Sequence, residues 1–233
     1  MPLDHDPALL RIQRFWEARA REDPLRYSVP GGAPPADEDA FLAAGAATLA
    51  AAGELVGWPQ DGLRLAVDVG CGAGRLTGAL AEAADAVVAI DLAPTMVEAA
   101  RRRHRDRQNV SWHGGHAGDL RPLANASADA VVALGVLGHL PTVELVLDGL
   151  ADLARILAPE GALLFDLHDR PPPLTLPGEA PVPDRVARHP LWRGTVVDLE
   201  TVAAAAHQER LIVERIEGSG SGRCLILARR EAG

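Results

Sequence analysis

The sequence predicts an α/β protein with a seven-stranded, mostly parallel sheet, helices on both faces and an antiparallel last strand. Three observations predict this fold. Apolar segments of strand length alternate with segments of about ten to fifteen residues that have helical periodicity. Two segments, "AVVAI" (86–90) and "AVVAL" (130–134), are apolar throughout, as strands buried on both faces are. Near the end of the chain, "LIVERIEG" and "RCLILARR" are separated by the turn-forming "SGSG", which indicates a hairpin.

Two helices are predicted before the alternation begins. Residues 7–22 form an amphipathic helix with Leu9, Ile12, Phe15 and Trp16 near one face. A loop rich in proline and glycine follows, and then an alanine-rich, weakly amphipathic helix from Ala40 to about Val56.

Strands and helices then alternate from residue 63 onward. The predicted strands span residues 63–69, 86–91, 109–114, 128–136 and 161–168, and the predicted helices span 74–84, 94–107 and 142–157. Residues 170–194 are rich in proline and are expected to have little regular structure, and long irregular loops often serve as lids or binding loops. A helix over 198–211 precedes the hairpin.

Composition bounds the class of protein. The 233 residues are 48% hydrophobic and 24% charged with a net charge of -9, which suits one globular domain or one domain with a small addition. This acidic charge argues against a nucleic-acid partner, because phosphate binding requires a basic face. The one basic run, "RRRHRDR" (101–107), ends a predicted helix, where cations offset the helix dipole.

The sequence also indicates the compartment. Cys71 and Cys224 lie far apart without metal-ligand spacing, so we expect free thiols in a reducing cytoplasm. The pair His113 and His116 ends a strand and forms no ligand face, so no metal site is expected. The first residues lack the pattern of a signal peptide, and no uninterrupted apolar stretch reaches the roughly 20 residues that span a bilayer. We therefore expect a cytoplasmic protein that contacts no membrane.

The segment "AVDVGCGAGRL" (66–76) predicts a ligand site. It reads as strand, tight turn and helix, and its glycines let backbone and a helix N-terminus approach a ligand. Asp91 ends the next strand, 21 residues after Gly70, and is placed to accept both hydroxyls of a ribose. A dinucleotide requires G-x-G-x-x-G, whereas the register here is G-x-G-x-G followed by Arg75, and Asp68 precedes the first glycine.

These motifs resemble those of a known family. "VDVGCGAGRL" resembles the first motif of class I S-adenosylmethionine-dependent methyltransferases, and "IDLAPTMVEAAR" (90–101) resembles their second. Residues 109–141 resemble the third and fourth motifs, and 150–169 resemble the helix and strand that follow. "FWEARAREDP" and "DEDAFLAAG" resemble the N-terminal cap of bacterial small-molecule enzymes of this type.

The resemblance implies a domain plan and an activity. It implies a helical cap over residues 1–60, a Rossmann-like methyltransferase domain over 61–233 and an acceptor-side loop over 170–194. It also implies S-adenosylmethionine as the cofactor and in-line methyl transfer to a small organic acceptor. A macromolecular acceptor (RNA or protein) and a cofactor-binding protein that does not methylate are the alternatives. The sequence has no Asn-Pro-Pro-aromatic motif, which argues against a flipped nucleic-acid base as the methyl acceptor. The sequence indicates neither the acceptor nor the oligomeric state.

The resemblance also implies which residues bind the cofactor. Glycine backbone would reach the amino and carboxylate groups, Asp68 would orient the loop or contact the ammonium through water, and Asp91 would accept the ribose hydroxyls. The implied set is Trp16, Arg19, Asp68, Gly70, Cys71, Gly72, Gly74, Asp91, Leu92, Met96, His116, Ala117, Asp119, Leu120, Leu134 and Gly135.

Several of these assignments leave alternatives open. Met96 packs on adenine or belongs to the helix core. Trp16 and Arg19 of the cap contact the cofactor, or they are a core tryptophan and a solvated arginine. Many relatives have Gly-Asp-Ala where this chain has 115–117, so either His116 or Asp119 would read the adenine edge.

Two histidines are candidate catalytic bases. His139 and His168 follow predicted strands at the carboxyl ends, where open α/β sheets bind ligands. The position of His139, after the fourth motif, matches a histidine frequent in the family, whereas His168 is a candidate by position alone. A base is required only when a hydroxyl or ammonium acceptor must lose its proton. The alternatives are a capping or packing role for His139 and a surface-loop role for His168.

Overall fold

The fold is a single seven-stranded sheet with helices on both faces, seen in a computed structural model that describes residues 7–30, 35–121, 123–171 and 183–232. In chain order the strands are β1 (Leu63–Val69), β2 (Ala84–Asp91), β3 (Val110–Gly114), β4 (Ala128–Ala133), β5 (Leu157–Leu167), β6 (Leu211–Glu217) and β7 (Cys224–Arg230). The spatial order is β3-β2-β1-β4-β5-β7-β6, with β7 antiparallel to β5 and β6 and the other neighbouring pairs parallel. The predicted fold class, including the antiparallel last strand, is confirmed.

The helices connect these strands. They are α1 (Pro7–Glu22), α2 (Glu38–Val56), α3 (Thr77–Ala83), α4 (Pro94–Arg103), α5 (Val143–Ile156), α6 (Asp184–Ala187), α7 (Pro190–Arg193) and α8 (Leu199–Gln208). Short 3₁₀ turns lie at Arg26–Ser28 and Leu137–His139.

Three helices are each four residues shorter than the sequence pattern predicts, among them α8, which spans Leu199–Gln208 instead of 198–211. Helix α3 begins at Thr77 because residues 72–76, which include Gly72 and Gly74, form turns before it. Helix α4 ends at Arg103, since His104 leaves the helical conformation and its ring bonds the carbonyl of Gly74 instead. The sequence pattern also missed α6 and α7, which lie within the proline-rich stretch; residues 172–182 of that stretch are outside the described part of the chain.

The sheet carries a core on each face. On one face Val146 and Leu150 of α5 join Val202 of α8, and on the other Leu49 of α2 joins Leu80 of α3. The central strands are buried against both layers, which explains the apolar run over residues 130–133 of β4. This arrangement leaves the carboxyl ends of β1, β2, β4 and β5 at one edge of the sheet.

The N-terminal helices are bonded to that edge. Glu17 of α1 accepts hydrogen bonds from the amide and hydroxyl of Thr95, at 3.1 and 2.5 Å. The guanidinium of Arg75, which is only 6% exposed, donates to the carbonyl of Ser28 at 3.0 Å and to Oγ1 of Thr48 at 2.8 Å. One arginine beside the glycines thus connects both N-terminal helical segments to the sheet.

Helix α2 has one property that the sequence analysis did not expect. Within the described residues, it is the helix that is long and apolar enough to cross a membrane, by length and composition alone. Its buried side chains, among them Phe41, Leu49 and Val56, lie along one face, and alanines supply half of the remaining residues.

Candidate active site

The glycine loop lies between the ends of β1 and β2. Gly70 and Gly72 have φ angles of 71° and 53°, in the left-handed region that side chains disfavour. The amides of Gly70 and Cys71 both donate to the carbonyl of Ile90, at 2.7 and 2.9 Å. A Cβ on Gly70 would lie 2.2 Å from the side chain of Val136. Any other residue at Gly70 would therefore meet both a steric clash and an unfavourable backbone conformation.

Asp91 fastens the end of β2 to this loop. One carboxylate oxygen accepts from the amide of Gly72 and the other from the amide of Ala93, each at 2.8 Å. Burial raises the pKa of Asp91 to about 6, against the lowering effect of the two amides. Because a carboxylate oxygen has two lone pairs, each oxygen retains the capacity to accept from a ligand hydroxyl.

Asp68 is the second buried acid beside the loop. Its side chain accepts a hydrogen bond of 2.6 Å from the hydroxyl of Thr77, the first residue of α3. Burial raises the pKa of Asp68 to about 6, while Thr77 and the charge of Arg75 oppose the shift. Asp68 therefore orients the turn that leads from the glycines into the helix.

A cavity of about 460 Å³ opens over this edge of the sheet. Most of the residues that the sequence proposed for the site lie in its wall. They are Trp16, Asp68, Gly70, Cys71, Gly72, Asp91, Leu92, Met96, His116, Ala117, Leu134, Gly135, His139 and His168.

Four proposed residues lie outside the described wall: Arg19, Gly74, Asp119 and Leu120. The carbonyl of Gly74 is bonded by Nε2 of His104 at 2.8 Å. The amide of Leu120 donates to Asp152 at 2.5 Å, and its side chain belongs to the core. Gly74 and Leu120 therefore hold neighbouring segments in place and do not themselves line the described cavity.

The two candidates for the adenine edge are placed differently. His116 lies in the cavity wall, where its Nδ1 accepts from the amide of Gly118 at 3.1 Å. The carboxylate of Asp119 instead accepts two hydrogen bonds from Arg121, at 2.5 and 2.7 Å.

Arg19 lies behind the cavity wall. It pairs with Glu22 at 3.2 Å, and its guanidinium lies over the rings of Phe15 and Tyr27, at 5.3 and 5.5 Å from the ring centroids. Tyr27 itself lines the cavity. Arg19 therefore supports an aromatic wall.

Trp16, Tyr27, His139, His168 and Trp192 form the part of the cavity that we call the acceptor compartment. The rings of Trp16 and Trp192 lie 5.3 and 5.7 Å from that of His139. Hydrogen bonds fix the segment after α7 beside the two histidines. The amide of Thr195 donates to the carbonyl of Gly138, the residue before His139, and the amide of Val197 donates to the carbonyl of His168.

Both histidines of the compartment are held neutral by their surroundings. Burial lowers the pKa of His139 to about 4, and the nearby ring of His168 contributes. Burial also lowers the pKa of His168, although the charge of Asp166 opposes the change. Nδ1 of each ring is buried and has no hydrogen-bond partner in the described structure.

The sequence analysis missed several residues of the wall. Oγ of Ser28 accepts from the amide of Ala73 at 2.8 Å and so closes the cap onto the glycine loop. Arg223, the residue before β7, also lines the cavity and forms an ion pair with Asp166 of β5. A signal for Asp166 was present, because it is an acid within an otherwise apolar buried strand; Trp192 and Ser28 lie in segments without a regular pattern.

The arrangement suits transfer between two organic ligands. Near the glycines lie carboxylates that accept hydrogen bonds from hydroxyls and backbone amides that donate them. Beyond the glycines lie large aromatic side chains and two neutral imidazoles. Within the described ranges, no three His, Cys, Asp or Glu side chains are grouped to hold a metal ion.

Comparison with known proteins supports this interpretation. Residues 67–165 match the family model described as a methyltransferase domain. The chain is 36% identical over 98 residues to a demethylmenaquinone methyltransferase of Tropheryma whipplei, covering 42% of this chain and 39% of the relative. It is 34% identical over 107 residues to a ubiquinone biosynthesis O-methyltransferase of Xanthomonas oryzae pv. oryzae, covering 46% and 44%. The alignments thus span less than half the length of these relatives.

The fold is shared with solved structures. Phosphoethanolamine N-methyltransferase 1 of Haemonchus contortus, solved with phosphoethanolamine and S-adenosylhomocysteine, is similar over 97% of this chain and 49% of that chain, with a TM-score of 0.71 and 17% identity. At this identity the similarity shows the fold alone. The matched model covers residues 67–165, so this part of the chain is a methyltransferase domain, and the strand order and motifs resemble those of class I S-adenosylmethionine-dependent methyltransferases.

Proposed function

We propose that this protein transfers a methyl group from S-adenosylmethionine to a small organic acceptor. One observation carries the proposal. Asp91 lies in the wall of a cavity that continues into the acceptor compartment, and the amides of Gly72 and Ala93 fix its carboxylate. Transfer between two ligands requires two places in one cavity. Here these are a carboxylate that accepts hydrogen bonds from a ribose and a separate aromatic compartment.

The residues present fit the cofactor. Asp91 would hold the ribose hydroxyls, Leu92 and Met96 would pack on adenine, and His116 and Ala117 lie in the wall for its edge. Backbone at Gly70 and Gly72, which line the cavity, would meet the amino-acid end. When bound, S-adenosylmethionine supplies a methyl group on a cationic sulfur.

The chain's own contribution to the reaction is placement. Trp16 and Trp192 exclude water from the acceptor compartment, and positioning of two reactants supplies much of the acceleration in a direct displacement. We propose that residues 1–60 act as the cap and that residues 170–194 close the acceptor side. Ala187 and Trp192 of that segment lie in the cavity wall.

A general base has a defined place in this scheme. His139 is neutral at physiological pH because its pKa is about 4, so it accepts a hydrogen bond from an acceptor hydroxyl more readily than it holds a proton. His168 lies next to it and has the charge of Asp166 nearby, which stabilises a proton there. We propose that His139 orients the acceptor and that either imidazole receives its proton.

The names of the two curated relatives support a small acceptor. One is named for demethylmenaquinone and the other for O-methylation in ubiquinone biosynthesis. Charge pairing argues further against RNA, because the basic run after α4 is neutralised: Arg103 pairs with Glu38 and Arg107 with Glu82, both at 2.6 Å. Two buried free cysteines accord with the expected cytoplasmic location.

The test is transfer of isotope-labelled methyl from S-adenosylmethionine to mixtures of small phenols, amines, thiols and aromatic acids, analysed by mass spectrometry. The proposal expects a labelled small product that is absent with the Asp91→Ala variant. Label recovered in added RNA or protein would favour a macromolecular acceptor. Cofactor binding without any label transfer would favour the alternative of a protein that does not methylate.

A further inference from the structure

Besides Arg75 at the glycine loop, the described cavity wall contains two arginines, Arg193 and Arg223. Arg223 lines the cavity, and Asp166 binds its Nε and one terminal nitrogen. Asp166 is itself fixed, since its other oxygen accepts from the amide of Gly135 at 2.6 Å and its side chain is only 5% exposed. A guanidinium has five N–H donors, so this pair fixes the orientation of Arg223 without using all of them.

Arg193 is the second arginine in this wall, and in the described structure no acid lies within ion-pair distance of it. It ends α7, whose position is tightly set. Gly194 has a φ of 64°, its amide bonds the carbonyl of Pro190 at 2.8 Å, and a Cβ there would lie 1.7 Å from the carbonyl of Gly138.

The acids of the described wall leave Arg193 without an ion-pair partner. Of the acids in the described wall, Asp68 and Asp91 lie at the glycine loop, and Asp166 is already paired with Arg223. The two histidines are neutral because burial lowers their pKa values. Arg193 therefore carries a positive charge that no described acid pairs with, in a wall that also contains large aromatic side chains.

We propose that the methyl acceptor is a small aromatic acid whose carboxylate is bound by Arg193 and Arg223 and whose ring lies among Trp16, Tyr27 and Trp192. Arginine forks bind carboxylates through paired hydrogen bonds, and aromatic walls favour a planar ring. The cavity of about 460 Å³ must serve cofactor and acceptor, which limits the acceptor's size. This inference depends on the proposed methyl transfer.

The chemistry balances for a hydroxyl on such a ring. The hydroxyl oxygen forms a bond to the methyl carbon, the carbon–sulfur bond breaks, and its electron pair stays on sulfur. The hydroxyl proton passes to a neighbouring imidazole or to water, while the carboxylate remains bound to the arginines and is not consumed.

Calorimetry on the full chain saturated with S-adenosylhomocysteine tests the inference. A panel of hydroxybenzoates is titrated beside the matching hydroxybenzamides, which have the same shape without the charge. We expect at least one acid to bind about tenfold more tightly than its amide. Arg193→Gln should remove most of that preference. Arg105→Gln, which changes an arginine that is 81% exposed and lies outside the described cavity wall, should retain it.

Each outcome decides the inference. Equal binding of acids and amides, no binding of either at millimolar concentration, or an unchanged preference in Arg193→Gln would overturn it. Because Arg223 balances a buried acid, Arg223→Lys serves as a second variant, and we expect weaker acid binding with a cooperative thermal transition. Failure of S-adenosylhomocysteine itself to bind would instead contradict the proposed methyl transfer, so the two failures are distinguishable.

Discussion

The rings of His139 and His168 meet edge to face, with centroids 5.7 Å apart and an interplanar angle of 86°. Nδ1 of each ring is buried without a hydrogen-bond partner in the described structure. A buried polar atom without a partner is unfavourable, and a ligand hydroxyl would satisfy it. This pair marks where we expect the acceptor's reacting group.

Replacing the catalytic histidine should affect turnover and leave cofactor binding nearly unchanged. If the acceptor is a hydroxyl, His139→Ala or His168→Ala should lower kcat by about 10²–10⁴-fold, the usual contribution of a general base. His113→Ala, at an exposed residue outside the described cavity wall, is the control. If neither cavity variant loses even about tenfold, catalysis depends on placement alone.

The pH profile distinguishes the two histidines. A base acts in its neutral form, so the rate falls as pH drops through its pKa. If His139 is the base, kcat measured at saturating S-adenosylmethionine should persist until the pH approaches about 4. A fall near the ordinary histidine value of about 6.5 would contradict that role, because His139 would then not be held neutral by its buried surroundings.

Removal of the Asp91 carboxylate, which we expect to accept hydrogen bonds from the ribose hydroxyls, should weaken cofactor binding. Asp91→Ala removes the carboxylate that Gly72 and Ala93 hold, and we expect a loss of about 1–3 kcal/mol in affinity for S-adenosylhomocysteine. Asp85→Ala, at an exposed position on the same strand, should leave the affinity unchanged in the same calorimetric titration. An unaffected Asp91 variant would mean that the ligand lies elsewhere.

Cofactor affinity should depend on pH in a direction set by Asp91. Burial raises the pKa of Asp91 to about 6, so the carboxyl is protonated below that pH and loses its charge. Ligand hydroxyls favour the ionised form, and affinity should therefore fall as pH drops through about 6, by at most about tenfold per unit for one proton. Asp68 has a similar pKa in the same cavity, so any dependence that remains in Asp91→Asn is assigned to Asp68.

A side chain in the glycine loop should abolish binding. At Gly72 a Cβ would lie 2.4 Å from Oγ of Ser28, in a backbone conformation with a φ of 53°. Gly72→Val should therefore lose cofactor binding and unfold at a lower temperature, still in one cooperative transition. Gly114→Val is the matched control, because a Cβ there meets nothing within 4 Å. Wild-type affinity in Gly72→Val would exclude this loop as the site.

Arg75 should be important for stability. Its guanidinium bonds Ser28 and Thr48, and Arg75→Ala leaves those groups without a charged donor, which we expect to lower the free energy of unfolding by about 2–4 kcal/mol. Arg64→Ala breaks an ion pair whose arginine is 76% exposed, and the expected loss is below about 1 kcal/mol. Equal losses in denaturant unfolding would show that Arg75 does not couple the N-terminal helices to the sheet.

The sequence was sufficient for the sheet because its signals are local. Apolar runs, glycines and helical periodicity predict β1 to β5 and the glycine loop without knowledge of the neighbours. The acceptor side was harder to predict for a physical reason. Asp166 and Arg223 are 57 residues apart and meet only because β7 enters the sheet antiparallel beside β5.

Loop geometry accounts for the other differences. Sequence position allowed either His116 or Asp119 at the adenine edge, but Arg121, two residues after Asp119, pairs with that carboxylate. Trp192 and Arg193 lie in a proline-rich stretch whose composition gave no sign of the short helix α7. Such local pairings depend on side-chain direction, which periodicity does not specify.

The most direct test of the cofactor assignment is a calorimetric titration of the purified chain with S-adenosylhomocysteine and, separately, with NAD. The class I motifs, Asp91 and the G-x-G-x-G loop predict micromolar binding of S-adenosylhomocysteine at one site and no heat with NAD. Tight binding of NAD with no response to S-adenosylhomocysteine would contradict the assignment, and with it the proposed methyl transfer.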